Sequence, residues 1–268
     1  LIWGEAKPLK PKRRLTLMKM PKSHPRYHSL KMRKKLVEFV EKGVVHKTGL
    51  IAHGRGEAFD YLLGEKTIKQ AERAEEAAAA FLLKAENPVI SVNGNTAALS
   101  AESIVILSKK ISAKIEVNLF HRAEERIRRI KKLLEAHGGE GILGEYPDSK
   151  IPGLEHDRAL CTHEGIFNAD AVLLSLEDGD RTKALKEMGK VIIAIDLNPL
   201  SRTSRCADVT IVDDVNRAVL RITAFIKNLK GKNEKIKNLI EDFDNEENLS
   251  AVIEFIGKRM KELASTDK

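Results

Sequence analysis

Five short apolar runs, "NPVISVNGN", "AKIEVNLF", "ADAVLLSLEDGDRT", "KVIIAIDLN" and "ADVTIVDD", recur along the chain, each separated from the next by helix-forming or loop sequence. Strands alternating with helices cannot pair as hairpins. They predict βαβ units and a mostly parallel sheet with helices on both faces. "VLLSL" and "VIIAI" are nearly continuous in apolar character, as strands covered on both sides must be. Helical periods are expected over 29–45, 67–86, from about 96, over 121–137, from 215, and over 235–242 and 246–263. The segment 138–169 reads as loop-rich. "GLIAHGRGEAFDYLLGE", residues 49–65, reads as a glycine-rich loop that carries Arg55 between two glycines. The expected fold class is α/β, a Rossmann-like, mostly parallel sheet flanked by helices, with extra helices at both ends.

In such a sheet ligands bind outside the carboxyl ends of the strands. Every strand end there carries polar residues: Asn93 and Asn95, Asn118, Asp178 and Asp180, Asp196 and Asn198 about Leu197, and Asp213-Asp214. Taken singly, each is what a turn prefers. Taken together on one edge they mark a site. Arg55, Arg122, Arg181, Arg202 and Arg205 complement them, and guanidinium forks match phosphate and carboxylate oxygens. Several arginines beside helix N-termini suit a polyanion. Neither a GxxxxGK[ST] loop nor a complete GxGxxG is present. An acidic residue can end one strand near ribose hydroxyls, while Asp213-Asp214 starts the next helix. That pairing resembles the nucleotide-binding Rossmann variant of the central domains of thiamine-diphosphate enzymes and of sirtuins. On a helix over 29–45, Leu30, Val37, Val40 and Val44 share a stripe that contains Arg33. An arginine there is costly unless an anion meets it.

The net charge of +8 is concentrated. Residues 1–19 hold six basic residues and one acidic one, leaving +3 for 20–268. This leader has two prolines and no helical period, and it is expected to be disordered, or to lie upstream of a start at Met18 or Met20. Residues 20–268 are expected to form one α/β domain. With 4% aromatic residues, a stack of single-stranded bases has little to rest on, and no apolar run reaches the roughly 18 residues of a membrane span. Neither nucleic acid nor membrane is expected as a partner. Cys161 and Cys206 form no CxxC pair and fit a reducing cytoplasm. His156, Cys161 and His163 in "HDRALCTHE" match no common zinc spacing and read as surface loop, so no metal ligands are assigned. His24 and His53 can serve as acid–base groups or simply as solvated loop histidines. No local sequence points to an activated nucleophile.

"PKSHPRY", "GLIAHGRGEAFDYLLGE", "NPVISVNGN", "IPGLEH", "LEDGDRT" and "DLNPLSR" together resemble the archaeal phosphopantothenate synthetase family, the 4-phosphopantoate–β-alanine ligases, over about residues 21–263. The chain departs from that pattern at His28, His121 and Ala123. The resemblance implies a cytoplasmic, homodimeric ligase of coenzyme A biosynthesis. It would use ATP and Mg²⁺ to join (R)-4-phosphopantoate to β-alanine through an acyl-adenylate, releasing AMP and diphosphate. Carried onto this sequence, ATP contacts fall on Arg33, Arg55, Asp196, Leu197, Asn198, Arg202, Thr203, Asp214 and Val215. His24, Arg26, Asn93, Asn95, Asn118, Arg122, Asp178 and Asp180 are placed with the substrates. The alternative on the same Rossmann variant is an NAD- or other nucleotide-binding protein with a different reaction.

Overall fold

The structure is a computed structural model and describes residues 21–24 and 26–266. The basic leader lies outside the described residues. Three helices come first, α1 (Tyr27–Glu41), α2 (Lys47–Leu63) and α3 (Lys69–Lys84). Then follow β1 (Pro88–Val92), α4 (Gly94–Ile111), β2 (Lys114–Val117) and α5 (Glu124–Ala136). A two-residue pair, β3 (Ser149–Lys150) and β4 (Leu160–Cys161), leads to β5 (Ala171–Ser175), α6 (Gly179–Glu187) and β6 (Val191–Ile195). The chain continues through α7 (Arg202–Cys206), β7 (Val209–Ile211), α8 (Val215–Leu229), α9 (Asn233–Glu241) and α10 (Asn245–Thr266).

The five long strands form one sheet in the order β2-β1-β5-β6-β7, and every pair is parallel. Alternate residues face opposite sides, as a pleated strand requires. Ile90, Val92, Leu173, Ile193 and Ile195 pack with α3, α4 and α8. Val89, Val172, Leu174, Ile192 and Ala194 pack with α6 and with Ile151, Cys161 and Ile166. Both faces are therefore covered, as the apolar runs require. Because β2 is added on one side of β1 and β5 to β7 on the other, the strand order reverses between β1 and β5. A crevice at the carboxyl edge opens there.

Three expectations are corrected. The glycine-rich segment is helical: α2 begins with the His46 side chain accepting from the Thr48 amide and ends at Gly64, φ +88°. Glycine lowers helix propensity, but tertiary packing overrides it. A Cβ at Gly49 would stand 2.3 Å from Asn95 Oδ1, so glycine is what lets α2 lie close across the carboxyl edge. The apolar stripe through Arg33 is likewise displaced. α1 stops at Glu41, ahead of Gly43 at φ +68°, so Val44 is off the helix. The side that meets the core runs through Met32, Leu36, Phe39 and Val40, while Val37 is 48% exposed. The Arg33 side chain is also 48% exposed and pairs with Glu57. Finally, "HDRALCTHE" is not surface loop throughout. Cys161 pairs with Ser149 in the β3–β4 ladder and is fully buried.

Glu75, on α3, is wholly buried. One carboxylate oxygen accepts from Arg221 Nε at 2.6 Å. The other has no hydrogen-bond partner, and the Asp213 charge acts on it. Burial raises the Glu75 pKa from 4.5 to about 8, Arg221 opposes the rise, and Asp213 adds to it. A buried carboxyl beside a like charge favours its protonated form. The folded pKa is raised, so this contribution to stability is fully present below about pH 4.5 and is lost as pH rises through about 8. Glu75→Gln keeps the donor and cannot titrate. Its melting temperature should gain on that of the unsubstituted protein from about pH 5 to pH 8 and the difference should level off above that, and a pH-independent difference would refute the raised Glu75 pKa.

Candidate functional site

All five parallel strands present their carboxyl ends on one edge, and α2 lies over it. Asn95 Nδ2 donates to the Gly49 carbonyl at 2.8 Å, tying the start of α4 to α2. A Cβ at Gly56 would meet Leu197 Cδ1 at 3.4 Å, so α2 also stays close to the end of β6. At the far end of α2, Asp60 accepts from Arg217 of α8, and Arg217 also pairs with Asp213. Asp213 is buried and its other oxygen accepts from Thr67 at 2.6 Å.

Two cavities open between α2 and the strand ends. The first, about 440 Å³, sits at the β1–β5 crevice, and Arg55, Asn93, Asn95, Arg126, Arg158 and Glu177 help to line it. The second, about 380 Å³, lies over β6 and β7 and is lined in part by His28, His53, Asp60, Leu197, Asp214 and Arg217. A small space bounded by His53, Leu176, Leu197 and Val215 shares walls with both. Leu176 follows directly after β5 at φ +51°, a left-handed conformation that costs a branched residue on the order of 1–3 kcal/mol. Backbone strain of this kind clusters at functional sites.

The crevice holds a buried chain of charge. Glu177 pairs with Arg158 on one side and Arg181 on the other, and all three side chains are almost fully buried. Arg158 also donates to the carbonyl and side-chain oxygens of Asn118. Arg181 reaches Ser91 beneath the sheet edge, so it is a structural cation rather than one presented to a ligand. Asn93 caps α4 and donates to the Ser175 carbonyl at 2.7 Å, which locks β1 to β5 at the crevice.

The other predicted residues separate by role. Arg55, Asn93, Asn95 and Asp178 meet in the first cavity; Leu197 and Asp214 line the second, with Val215 in the space between. Arg33 and Arg26 stand at the rim, held by Glu57, and His24 accepts from the Arg26 amide. Asp196 accepts from the Asn198 amide and from the Ser201 hydroxyl, which shapes the loop after β6. Burial raises its pKa, and Ser201, Asn198 and the Arg55 charge oppose the rise. Thr203 is buried and donates to the Glu177 carbonyl. Arg202 forks onto Asp180 at the surface. Two residues turn away from the site: Asn118 is buried and donates to the carbonyls of Arg158 and Leu160, and Arg122 donates to the carbonyls of Gly144 and Glu145. Asn118 follows the edge strand β2, whose neighbour here is the segment 158–160 rather than the cavity.

Sequence reasoning missed His46, Arg126, Arg158, Glu177 and Arg217. Glu177 was within reach, because "AVLLS" ends two residues before it. Arg158 was not, since its segment folds back from a loop-rich stretch. His53 was read from the sequence as either an acid–base group or a solvated loop histidine. It is half-buried, its Nε2 is buried without a partner, and burial lowers its pKa, with Glu57 and Asp214 opposing. A neutral imidazole therefore faces the space between the cavities. Among the described residues no group of three or more His, Cys, Asp or Glu is arranged to hold a metal ion, and no helix is long and apolar enough to cross a membrane. Burial, reinforced by the Glu116 charge, pushes the Cys161 thiol up to about 12, far from a thiolate nucleophile.

The family model for phosphopantothenate/pantothenate synthetase matches residues 70–259. A curated relative from Thermococcus onnurineus (strain NA1) is 52% identical over 92% of this chain and 96% of its own length. Relatives from Thermococcus kodakarensis and Methanospirillum hungatei are 51% and 50% identical, over 92% and 90% of this chain and 96% and 98% of theirs. All three are named 4-phosphopantoate–beta-alanine ligase.

Proposed function

The chain belongs to the phosphopantothenate/pantothenate synthetase family, and we propose that it joins (R)-4-phosphopantoate to β-alanine at the expense of ATP. The near full-length match to ligases of that name carries this reading. The site is consistent with it. A ligase that activates a carboxylate needs positive charge around phosphate and a neutral base, not a nucleophile on the protein. Arg55 lines the first cavity with no hydrogen bond or ion pair among the described residues, and its charge acts on Asp196.

In the first step a carboxylate oxygen of 4-phosphopantoate attacks the α-phosphorus, and diphosphate leaves. In the second the β-alanine nitrogen attacks the acyl carbon, and AMP leaves with the electron pair of the broken C–O bond. The ammonium of β-alanine must lose a proton before attack, and His53, which lines the space between the cavities, would accept it. The nucleotide would lie along Leu197, Asp214 and Val215 with its phosphates toward Arg55. Mg²⁺ would enter with the triphosphate, whose oxygens and water supply most of its ligands, and it adds charge neutralisation at the phosphates. A homodimer is the expected working unit. Ile106 and Leu220 stand exposed beside a groove lined by Phe39, Leu99 and Leu133, a surface that suits a second copy. Sedimentation of the intact protein as a monomer at micromolar concentration would exclude it.

Product analysis by ion-exchange chromatography should show AMP and diphosphate only when both substrates, ATP and Mg²⁺ are present together. ADP and phosphate would instead establish an acyl-phosphate route.

Arg33→Lys and Arg55→Lys should keep the melting temperature, because both side chains are exposed. Each should weaken ATP binding by about 1.5–3 kcal/mol, tenfold or more, through loss of the guanidinium fork. Calorimetric titration measures this, and unchanged ATP affinity would remove the residue from the nucleotide site.

A further inference from the structure

Arg126 is the one arginine of the 122–129 stretch, among the described residues, that has no protein partner. Arg122 is spent on two backbone carbonyls. Arg128 pairs with Glu124, Glu125 and Glu145. Arg129 pairs with Glu125 and the Lys42 carbonyl. Arg126 stands in the first turn of α5, is half-buried, and lines the first cavity with its Nε buried and unpartnered. A guanidinium withdrawn from water without an acceptor is costly, and folding leaves that cost standing.

The two acids that line the same cavity, Glu177 and Asp178, are both paired with Arg158 and neither with Arg126. Arg158 lines the same cavity, but Glu177 already holds it. The charges that act on His46 beside it, those of His121, Arg126 and Lys47, are all positive and, with burial, depress the His46 pKa. The His46 and His121 rings lie 4.4 Å apart between centroids with their planes tilted by 43°, and Thr48 Oγ1 lies 2.7 Å from His46 Nδ1. This end of the cavity is therefore a concentration of donors and positive potential with a ligand-sized space in front of it.

The cavity has a second uncommitted arginine, Arg55, on α2, whose charge is felt at Asp196 over β6. Arg126 acts on Arg158 and His46 at the β1–β2 end instead. The two guanidinium groups mark two anion positions, one toward the nucleotide and one away from it. We infer that Arg126 binds the phosphate of the acid substrate and so sets the preference for a phosphorylated over an unphosphorylated hydroxy acid. This rests on the reaction proposed above. A phosphate dianion would complete the unmet guanidinium bidentately and take further donors from Thr48 and the histidine pair. The reacting carboxylate, at the other end of the same substrate, would then point along the cavity toward Arg55 and the α-phosphorus.

The test compares the intact protein with Arg126→Gln and Arg126→Lys. Calorimetry measures binding of 4-phosphopantoate and of ATP separately, and steady-state kinetics compare 4-phosphopantoate with pantoate. Arg126→Gln should raise the Kd for 4-phosphopantoate tenfold or more, leave the Kd for ATP within twofold, and shrink the kcat/KM preference for 4-phosphopantoate over pantoate by a similar factor. Arg126→Lys, which keeps the charge without the fork, should recover part of both losses and report on the site even if the glutamine variant folds poorly. A 4-phosphopantoate affinity that does not change, or an ATP affinity that falls in step with it, would overturn the inference. Failure of the unsubstituted protein to bind 4-phosphopantoate at all would overturn the proposed reaction itself.

Discussion

The site depends on how closely α2 approaches the carboxyl edge of the sheet. Gly49 has no Cβ, so the α2 backbone comes close enough for its carbonyl to accept from Asn95, a residue of the first turn of α4. With any side chain at that point either the Asn95 amide would swing away and give up its bond to the Gly49 carbonyl, or the helix would lift. A lifted helix would separate the cavity walls supplied by Arg55 and His53 from those supplied by Asn93 and Leu176. At its other end α2 is fixed by charge, through Asp60, Arg217 and Asp213. A helix pinned at both ends over a strand edge leaves a space whose walls are rigid elements, which is what positioning two anionic reactants requires.

Charge in this protein divides into two populations. Arg158, Arg181, Arg217 and Arg221 are matched by Glu177, Asp60, Asp213 and Glu75 in buried or half-buried pairs. Such pairs hold geometry more than they add stability, because desolvation offsets much of the attraction. Arg55 and Arg126 face the cavity with no acid of their own. An active site for polyanions needs both kinds: neutralised cations to fix its walls, and open ones whose unmet demand becomes binding energy when phosphate arrives. Sequence shows only the number of arginines and not which of them is spent.

The same division explains why no residue stands out as a nucleophile. In the proposed reaction the attacking atoms belong to the substrates, and the protein contributes position, charge and a proton acceptor. Burial lowers the His53 pKa and so favours its neutral form, with Glu57 and Asp214 opposing. Cys161, the more deeply buried of the two thiols, is packed in the core beneath the sheet.

The parallel sheet, its burial on both faces and the polar strand ends follow from the sequence alone. Continuous β-branched runs between helical periods have one economical solution, and turn residues must stand where the strands stop. The family too was legible, because its motifs are long and ordered. Tertiary structure alone decided the rest. Residues 49–65 carry the composition of a loop, yet they form a helix because the close packing available at Gly49 outweighs propensity. Arg33 lies in an apolar period, yet it is exposed because α1 ends before Val44 and turns a different side to the core. Asn118 and Arg122 look like Asn93 and Arg55 in sequence, but β2 is the edge strand and its neighbours take up their hydrogen bonds. Strand order, and pairings such as Arg217 with Asp60 and Arg221 with Glu75, depend on contacts between residues far apart in the chain, 157 and 146 positions in those two pairs, which local periodicity does not encode.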